Sequence, residues 1–207
     1  MDYLISSALG YLIGSIPTAY IILKRKGIDV TKKGSGNVGA MNSYEITGSG
    51  YTGLAVFTID FVKGLLQVLF FSVYFSKGFS ISAISLLFAI FSHCFNPWIK
   101  FNGGRGLATA SGGILVLFYP LLVCWILLWG LIFIVKKNIL AANIFATSVS
   151  LILSLLFAKY FLNLATPRPV LLNELLLFIS AGLILIFIKH IEPLKEIILN
   201  QSKKNDK

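Results

Sequence analysis

The chain is short of charge, of acid and of the side chains that hold metals. Of its 207 residues only 13% are charged, eight are acidic, two are histidine and two are cysteine. A soluble domain carries roughly 25% charged residues, so this chain cannot clothe a water-soluble globule, and the soluble class is excluded. Two histidines and eight acids without H-E-x-x-H spacing exclude a conventional metal centre. A G-x-S-x-G nucleophile elbow is also missing. Cys94 and Cys124 have no paired spacing and lie in or beside apolar runs, so they read as small core residues rather than a disulfide or metal pair.

What is abundant is apolar. Hydrophobic residues make up 57% of the chain and the mean hydropathy is +0.85. These values predict an all-α polytopic membrane protein. Spans are expected near 3–23, 53–75, 81–98, 107–119, 121–135, 140–161 and 171–188, with Pro120 turning the chain between the fourth and fifth. The first apolar run continues too far for a cleaved leader and reads as a span. Residues 1–196 form one membrane domain, followed by a polar cytoplasmic tail at 197–207.

The net charge of +10 suggests nucleic acid at first sight, but its distribution argues for loops held on one side of a membrane. Seven spans put segments 24–52, 99–106, 136–139 and 189–207 on a single side, and these carry most of the lysines and arginines. The opposite side holds only Lys77, Lys159 and Arg168. The N-terminus is therefore expected outside and the C-terminus in the cytoplasm; no nucleic-acid partner is expected.

Three segments carry chemistry, all at or near that cytoplasmic face. In "KKGSGNVGAMNSYEITGSGY", residues 32–51, glycines with Ser35, Asn37 and Asn42 suit an anion-binding nest, or a flexible connector. In "TIDFVKG", residues 58–64, Asp60 and Lys63 share a helix face. They either form a structural ion pair or direct Lys63 at an anionic ligand with Asp60 orienting it. In "SHCFNPWIKFNGGRGLATASGG", residues 92–113, Gly103, Gly104 and Gly106 surround the planar donor fork of Arg105. A helix then begins near Leu107, with Thr109 in its first turn, which suits phosphate. Gly112 and Gly113 serve close helix packing as readily as function. His93 and His190 end spans at one depth, each either a hydrogen-bonded structural residue or a base. "KHIEPLKE", residues 189–196, reads as a cationic anchor.

Together, "GYLIGSIPTAY", "GSGNVGAMN", "DFVKG", "SHCFNPWIKFNGGRGLATASGG" and "KHIE" resemble, in order and over nearly the whole chain, the bacterial acyl-phosphate:glycerol-3-phosphate acyltransferases of the PlsY type. The resemblance implies a seven-span helical enzyme that moves a fatty acyl group from acyl phosphate to glycerol 3-phosphate, giving lysophosphatidic acid and phosphate. Membrane lipids and the enzyme supplying acyl phosphate are its expected partners, and no cofactor or metal is expected. It implies catalytic roles for Ser35, Arg105 and His190. Substrate binding is expected of Gly36, Asn37, Asn42, Lys63, Gly103, Gly104, Gly106, Thr109 and Asn143, and structural support of Asp60, His93 and Glu192.

The chain departs from the family pattern in several places. Met41 and Glu45 stand where the family has Thr and Arg, and Asn102 and Arg105 replace two lysines. Ser92 replaces the Gly of a Gly-His pair. Asn143 is the only donor where the family has S-L-x-S, and His190-Ile191-Glu192-Pro193 replaces H-R-E-N. The competing expectation is a paralogue with another phosphorylated acceptor, or a non-catalytic protein of the same fold. A channel or transporter fits worse, because polar residues cluster at one face rather than at mid-span.

Overall fold

A computed structural model describes residues 1–75 and 78–195. Among these the regular structure is entirely helical: α1 (Asp2–Gly14), α2 (Thr18–Lys24), α3 (Ala40–Thr47), α4 (Gly50–Leu69), α5 (Phe79–Cys94), α6 (Leu107–Leu117), α7 (Tyr119–Lys136), α8 (Ile139–Phe161) and α9 (Leu172–Ile188). Five stretches are long and apolar enough to cross a membrane: Asp2–Lys24, Gly50–Val73, Phe79–Ile99, Tyr119–Lys136 and Ile139–Leu164. α6 and α9 are shorter apolar helices. Each of the seven expected spans thus corresponds to an apolar helical stretch, though two fall short of that length. The polar tail and Lys77 lie outside the described residues.

Two local differences have simple causes. The expected first span is broken at Ser15–Pro17, because Pro17 has no amide to continue the ladder and caps α2 instead. The 32–51 segment, read as irregular, contains α3. Ser43 Oγ donates to the Gly39 carbonyl at 2.8 Å within its first turn, and Gly48 ends it at φ 64°. Pro120 does sit at the α6–α7 junction, in the first turn of α7, where a missing amide costs nothing.

Packing follows small residues. α4 crosses α6, and α1 crosses α5, at very short range. A Cβ on Gly64 would overlap the Thr109 carbonyl, and one on Gly112 the Phe61 carbonyl. Gly10 and Gly14 meet the backbone of Ser85 and Ala89 in the same way. Backbones approach closely in this manner when apolar burial alone cannot hold helices together in lipid. One apolar core joins Val68, Leu86, Ile90, Leu117, Leu175 and Ile179. A smaller one, Leu23, Val30, Val38, Val56 and Ile99, supports the loops. Cys94 is fully buried in the larger core and both cysteines are free.

Candidate active site

The glycine-rich loop is anchored before it reaches α6. Asn96 Oδ1 accepts from the Trp98 amide, and its Nδ2 donates to the Ser15 carbonyl at 2.6 Å; Trp98 Nε1 donates to Ser15 Oγ at 2.9 Å. The backbone then turns through positive φ at Lys100 and Phe101. The Gly104 amide bonds the His93 carbonyl, and the Val38 amide bonds the Gly103 carbonyl, so this loop carries the first loop upon it. A Cβ on Gly103 would overlap the carbonyls of His93 and Cys94, and one on Gly104 would overlap His93 Nε2. Gly106 caps α6 at φ 81°, a conformation that suits glycine, and leaves Arg105 at the helix N-terminus.

The first loop is organised by Asn42. Its Oδ1 accepts from the Ser35 amide at 3.0 Å, and its Nδ2 donates to the carbonyls of Asn37, Lys33 and Val30 at 2.9, 3.2 and 3.4 Å. Asn42 is fully buried and spends its amide on the backbone, which gives it a structural task in this loop. Ser35, expected to be catalytic, is exposed and outside the cavity lining described below; Gly36 turns the loop beside it at φ 69°. Asn37 does line the cavity.

On α4 the expected pair forms. Lys63 Nζ lies 2.8 Å from Asp60 Oδ1 and donates to the Ile16 carbonyl at 2.9 Å; Thr18 Oγ1 donates to Asp60 at 2.7 Å. Lys63 therefore fastens α4 to the α1–α2 break and lies outside the lining of the cavity described below. Asp60 and His93 do line the cavity, with His93 Nδ1 3.9 Å from Asp60 Oδ1.

His190 lies just past α9 and is fully buried. Its Nδ1 is 2.8 Å from the Ile186 carbonyl, which can only accept, so Nδ1 carries the proton. Nε2 is then an acceptor facing Asn143 Nδ2 at 3.5 Å. Asn143 Oδ1 in turn accepts from Trp129 Nε1 at 2.8 Å. Burial pushes the His190 imidazole down to about 4, with the Arg105 charge adding and the Ile186 carbonyl opposing. It is neutral at physiological pH and sits behind Asn143, through which it reaches the cavity wall. Thr109, also expected to bind substrate, is fully buried outside the lining, and its Oγ1 lacks a hydrogen-bond partner among the described residues. Glu192 is exposed and pairs with Lys195 at 2.8 Å, a solvated anchor contact.

These parts enclose a cavity of about 650 Å³. Its lining includes the polar side chains of Asn37, Asp60, His93, Arg105 and Asn143. Much of the rest is apolar: Leu54, Phe57, Leu107, Trp125, Ile126 and Trp129. Trp125 Nε1 bonds Thr147 Oγ1 at 3.1 Å, one helical turn from the Trp129–Asn143 bond, in antiparallel register. Sequence reasoning missed both tryptophans, although their spacing of four on one helix, matched by Asn143 and Thr147 on the next, was visible. It also read Lys189 as a solvated anchor. Lys189 is half-buried, lies 4.9 Å over the Phe95 ring, and is held below the usual lysine pKa by burial, with the nearby Arg105 charge adding. Glu45 is exposed on α3 and is not part of the cavity lining.

Among characterised families, the one described as glycerol-3-phosphate acyltransferase matches residues 4–200. A glycerol-3-phosphate acyltransferase of Wolbachia pipientis subsp. Culex pipiens is 30% identical over 204 residues, 99% of each chain. Glycerol-3-phosphate acyltransferase 2 of Thermotoga maritima is 37% identical over 161 residues, covering 77% of this chain and 81% of that protein. The crystal structure of PlsY (YgiH), an integral membrane glycerol 3-phosphate acyltransferase, in its glycerol 3-phosphate form superposes with a TM-score of 0.81. It is 28% identical and the match covers 97% and 94% of the two chains. The lysophosphatidic acid form superposes at 0.79 with 26% identity.

Proposed function

The chain belongs to the glycerol-3-phosphate acyltransferase family, and we propose that it transfers a fatty acyl group from acyl phosphate to glycerol 3-phosphate, releasing lysophosphatidic acid and phosphate. The observation that carries this reading is the mixed lining of one cavity. Arg105 and the amide-rich start of α6 share that lining with Trp125, Trp129 and other apolar side chains. A phosphate fits the first and an acyl chain the second.

An acyl phosphate is a mixed anhydride with a good leaving group, so no covalent enzyme nucleophile is needed. The protein holds two phosphates, aligns a hydroxyl with the acyl carbonyl and neutralises developing charge. Arg105 supplies a bidentate fork and α6 its N-terminal amides. Asn143 presents its amide from α8, held in orientation by His190 and Trp129. Lys189 adds a second cation near Arg105. The exposed position of Glu45, outside the cavity lining, is compatible with the same reading.

We further read residues 1–196 as a single membrane domain in the bacterial plasma membrane. Seven segments cross it, with the N-terminus outside and the C-terminus in the cytoplasm. The lysine and arginine asymmetry supports this orientation, as does the site's position beside the cationic loops. Glycerol 3-phosphate then enters from the cytoplasm and acyl phosphate from the bilayer or from the enzyme that makes it. Purified protein given palmitoyl phosphate and glycerol 3-phosphate should release phosphate and form lysophosphatidic acid in equal amounts. Absence of both products under conditions where a related acyltransferase is active would refute the assignment.

A further inference from the structure

We infer that Trp125 is the residue that sets specificity for the acyl group: it closes the floor of the cavity, so the site reads the first few carbons of the chain and is indifferent to the rest. The inference rests on the acyl-transfer reading of the cavity.

The floor follows from helix geometry. α6 and α7 form a hairpin that turns at Phe118–Pro120. Counting outward from that turn, Ser111 on α6 and Trp125 on α7 stand at one level, and Leu107 and Trp129 stand one turn nearer the glycine loop. Trp125 Nε1 donates to Thr147 Oγ1 on α8 at 3.1 Å, and Thr147 is fully buried. The indole also stacks on Trp129, with ring centroids 6.5 Å apart. A large ring is thus pinned from a neighbouring helix at the end of the cavity away from the glycine loop.

Little room lies beyond it. Leu107, Ser111 and Trp125 line both the cavity and a second space of only about 20 Å³. That space is walled by Ile114, Leu121, Leu122, Leu183 and Ile186. It could hold about one water, not a chain.

The depth of the floor decides what is read. Leu107 and Ser111 are four residues apart, about 6 Å of helix. An extended chain covers about 1.2 Å per atom, so about five carbons fit above the floor. A lipid chain spans about 15 Å, half of a bilayer's hydrocarbon core. Most of the chain must therefore leave sideways. Leu54 and Phe57 on α4 and Ile126 on α7 line the cavity and are also exposed, so the way out lies between these two helices. Outside, the chain meets other lipid chains, and extra carbons or a branch there cost nothing at the site. A branch on the carbons above the floor meets the indole instead.

The experiment places a methyl branch on either side of the floor. In detergent micelles, at a fixed mole fraction of acyl phosphate, kcat/KM is measured for palmitoyl phosphate and for two derivatives, one methylated at its fourth carbon and one near the far end of the chain. The wild type should use the far-branched chain within about twofold of palmitoyl phosphate and the near-branched chain about 10-fold or more less well. Trp125→Ala, which joins the second space to the cavity, should cut the near-branch penalty to about threefold or less and leave KM for glycerol 3-phosphate unchanged. Should that variant fail to fold, Ser111→Val tests the same floor from α6: its added bulk should raise the near-branch penalty and leave the far-branch ratio alone. Equal use of the two branched chains by the wild type overturns the inference, as does a near-branch penalty that neither substitution moves. If the wild-type protein makes no lysophosphatidic acid from palmitoyl phosphate, the acyl-transfer reading fails, and this inference with it.

Discussion

On one side of the cavity α4 and α6 cross with Gly64 and Gly112 pressed against opposing carbonyls, and Asp60, Lys63, Thr18 and the Ile16 carbonyl lock the crossing to the first helices. On the other side, only 6% of the α7 span is buried, and it reaches α8 through two indole hydrogen bonds. The first side holds the buried charged pair beside apolar residues; the second holds only neutral polar groups, Asn143 and the two indoles, beside apolar surface. The difference is physical. Charged groups near lipid must be fully paired and held still, because each unpaired one costs several kcal/mol. A wall that meets an acyl chain needs only shape and a dry surface. We read the tight wall as the place where chemistry is fixed, and the loose wall as the place where chains of different length are admitted.

The comparison can be broken by substitution. The largest effect is expected at the tight wall's edge: Arg105→Ala should lower turnover at least about 10²–10³-fold, by analogy with losing a charge-stabilising donor. Arg105→Lys should keep part of the activity, measured as phosphate release. Next comes pH. His190 is held neutral, with its pKa lowered from 6.5 to about 4. Its contribution to stability is complete above 6.5 and falls as pH drops from 6.5 towards 4, by at most about 3 kcal/mol. Thermal unfolding in detergent should show this loss in the wild type and much less of it in His190→Gln.

Gly112→Leu should cost about 1–3 kcal/mol or more, because a side chain must displace the Phe61 backbone. An unchanged melting temperature would mean that the α4–α6 crossing is not tight. At the loose wall, Trp129→Phe should cost about 1 kcal/mol by leaving Asn143 Oδ1 without its donor. It should slow turnover several-fold without unfolding the protein, whereas Trp125→Phe, bonded to Thr147 one turn away, should slow it less. Glu45→Arg should change turnover by less than about twofold, as expected of an exposed site away from the cavity. A large gain there would mean that α3 swings its side chain over the phosphates during the reaction.

Some of the site was legible before any coordinates. Gly103, Gly104, Arg105 and Gly106 stand at the start of α6 as their spacing implied, and the Asp60–Lys63 pair forms at its helical spacing. Other readings identified the right residue but not its direction. Asn42 turns inward to hold its own loop, Lys63 turns to a carbonyl 47 positions earlier, and His190 stands behind Asn143. The break at Pro17 and the short α3 were obscured because hydropathy averages over a window longer than either.

Apolar content, the position of each apolar stretch and the grouping of most lysines and arginines into four segments follow from the sequence alone, because burial in lipid acts on composition over local windows. The helical class and the glycine loop before α6 follow too, since periodicity and backbone freedom are local properties. Only the tertiary structure decides which polar groups face the cavity and which face each other. That choice depends on partners tens of residues away: Ser15 for Asn96 and Trp98, Ile16 for Lys63, Trp129 and His190 for Asn143. A hydrogen bond or ion pair in an apolar interior is formed by whichever partner the packing brings within about 3 Å, and packing is a property of the whole bundle.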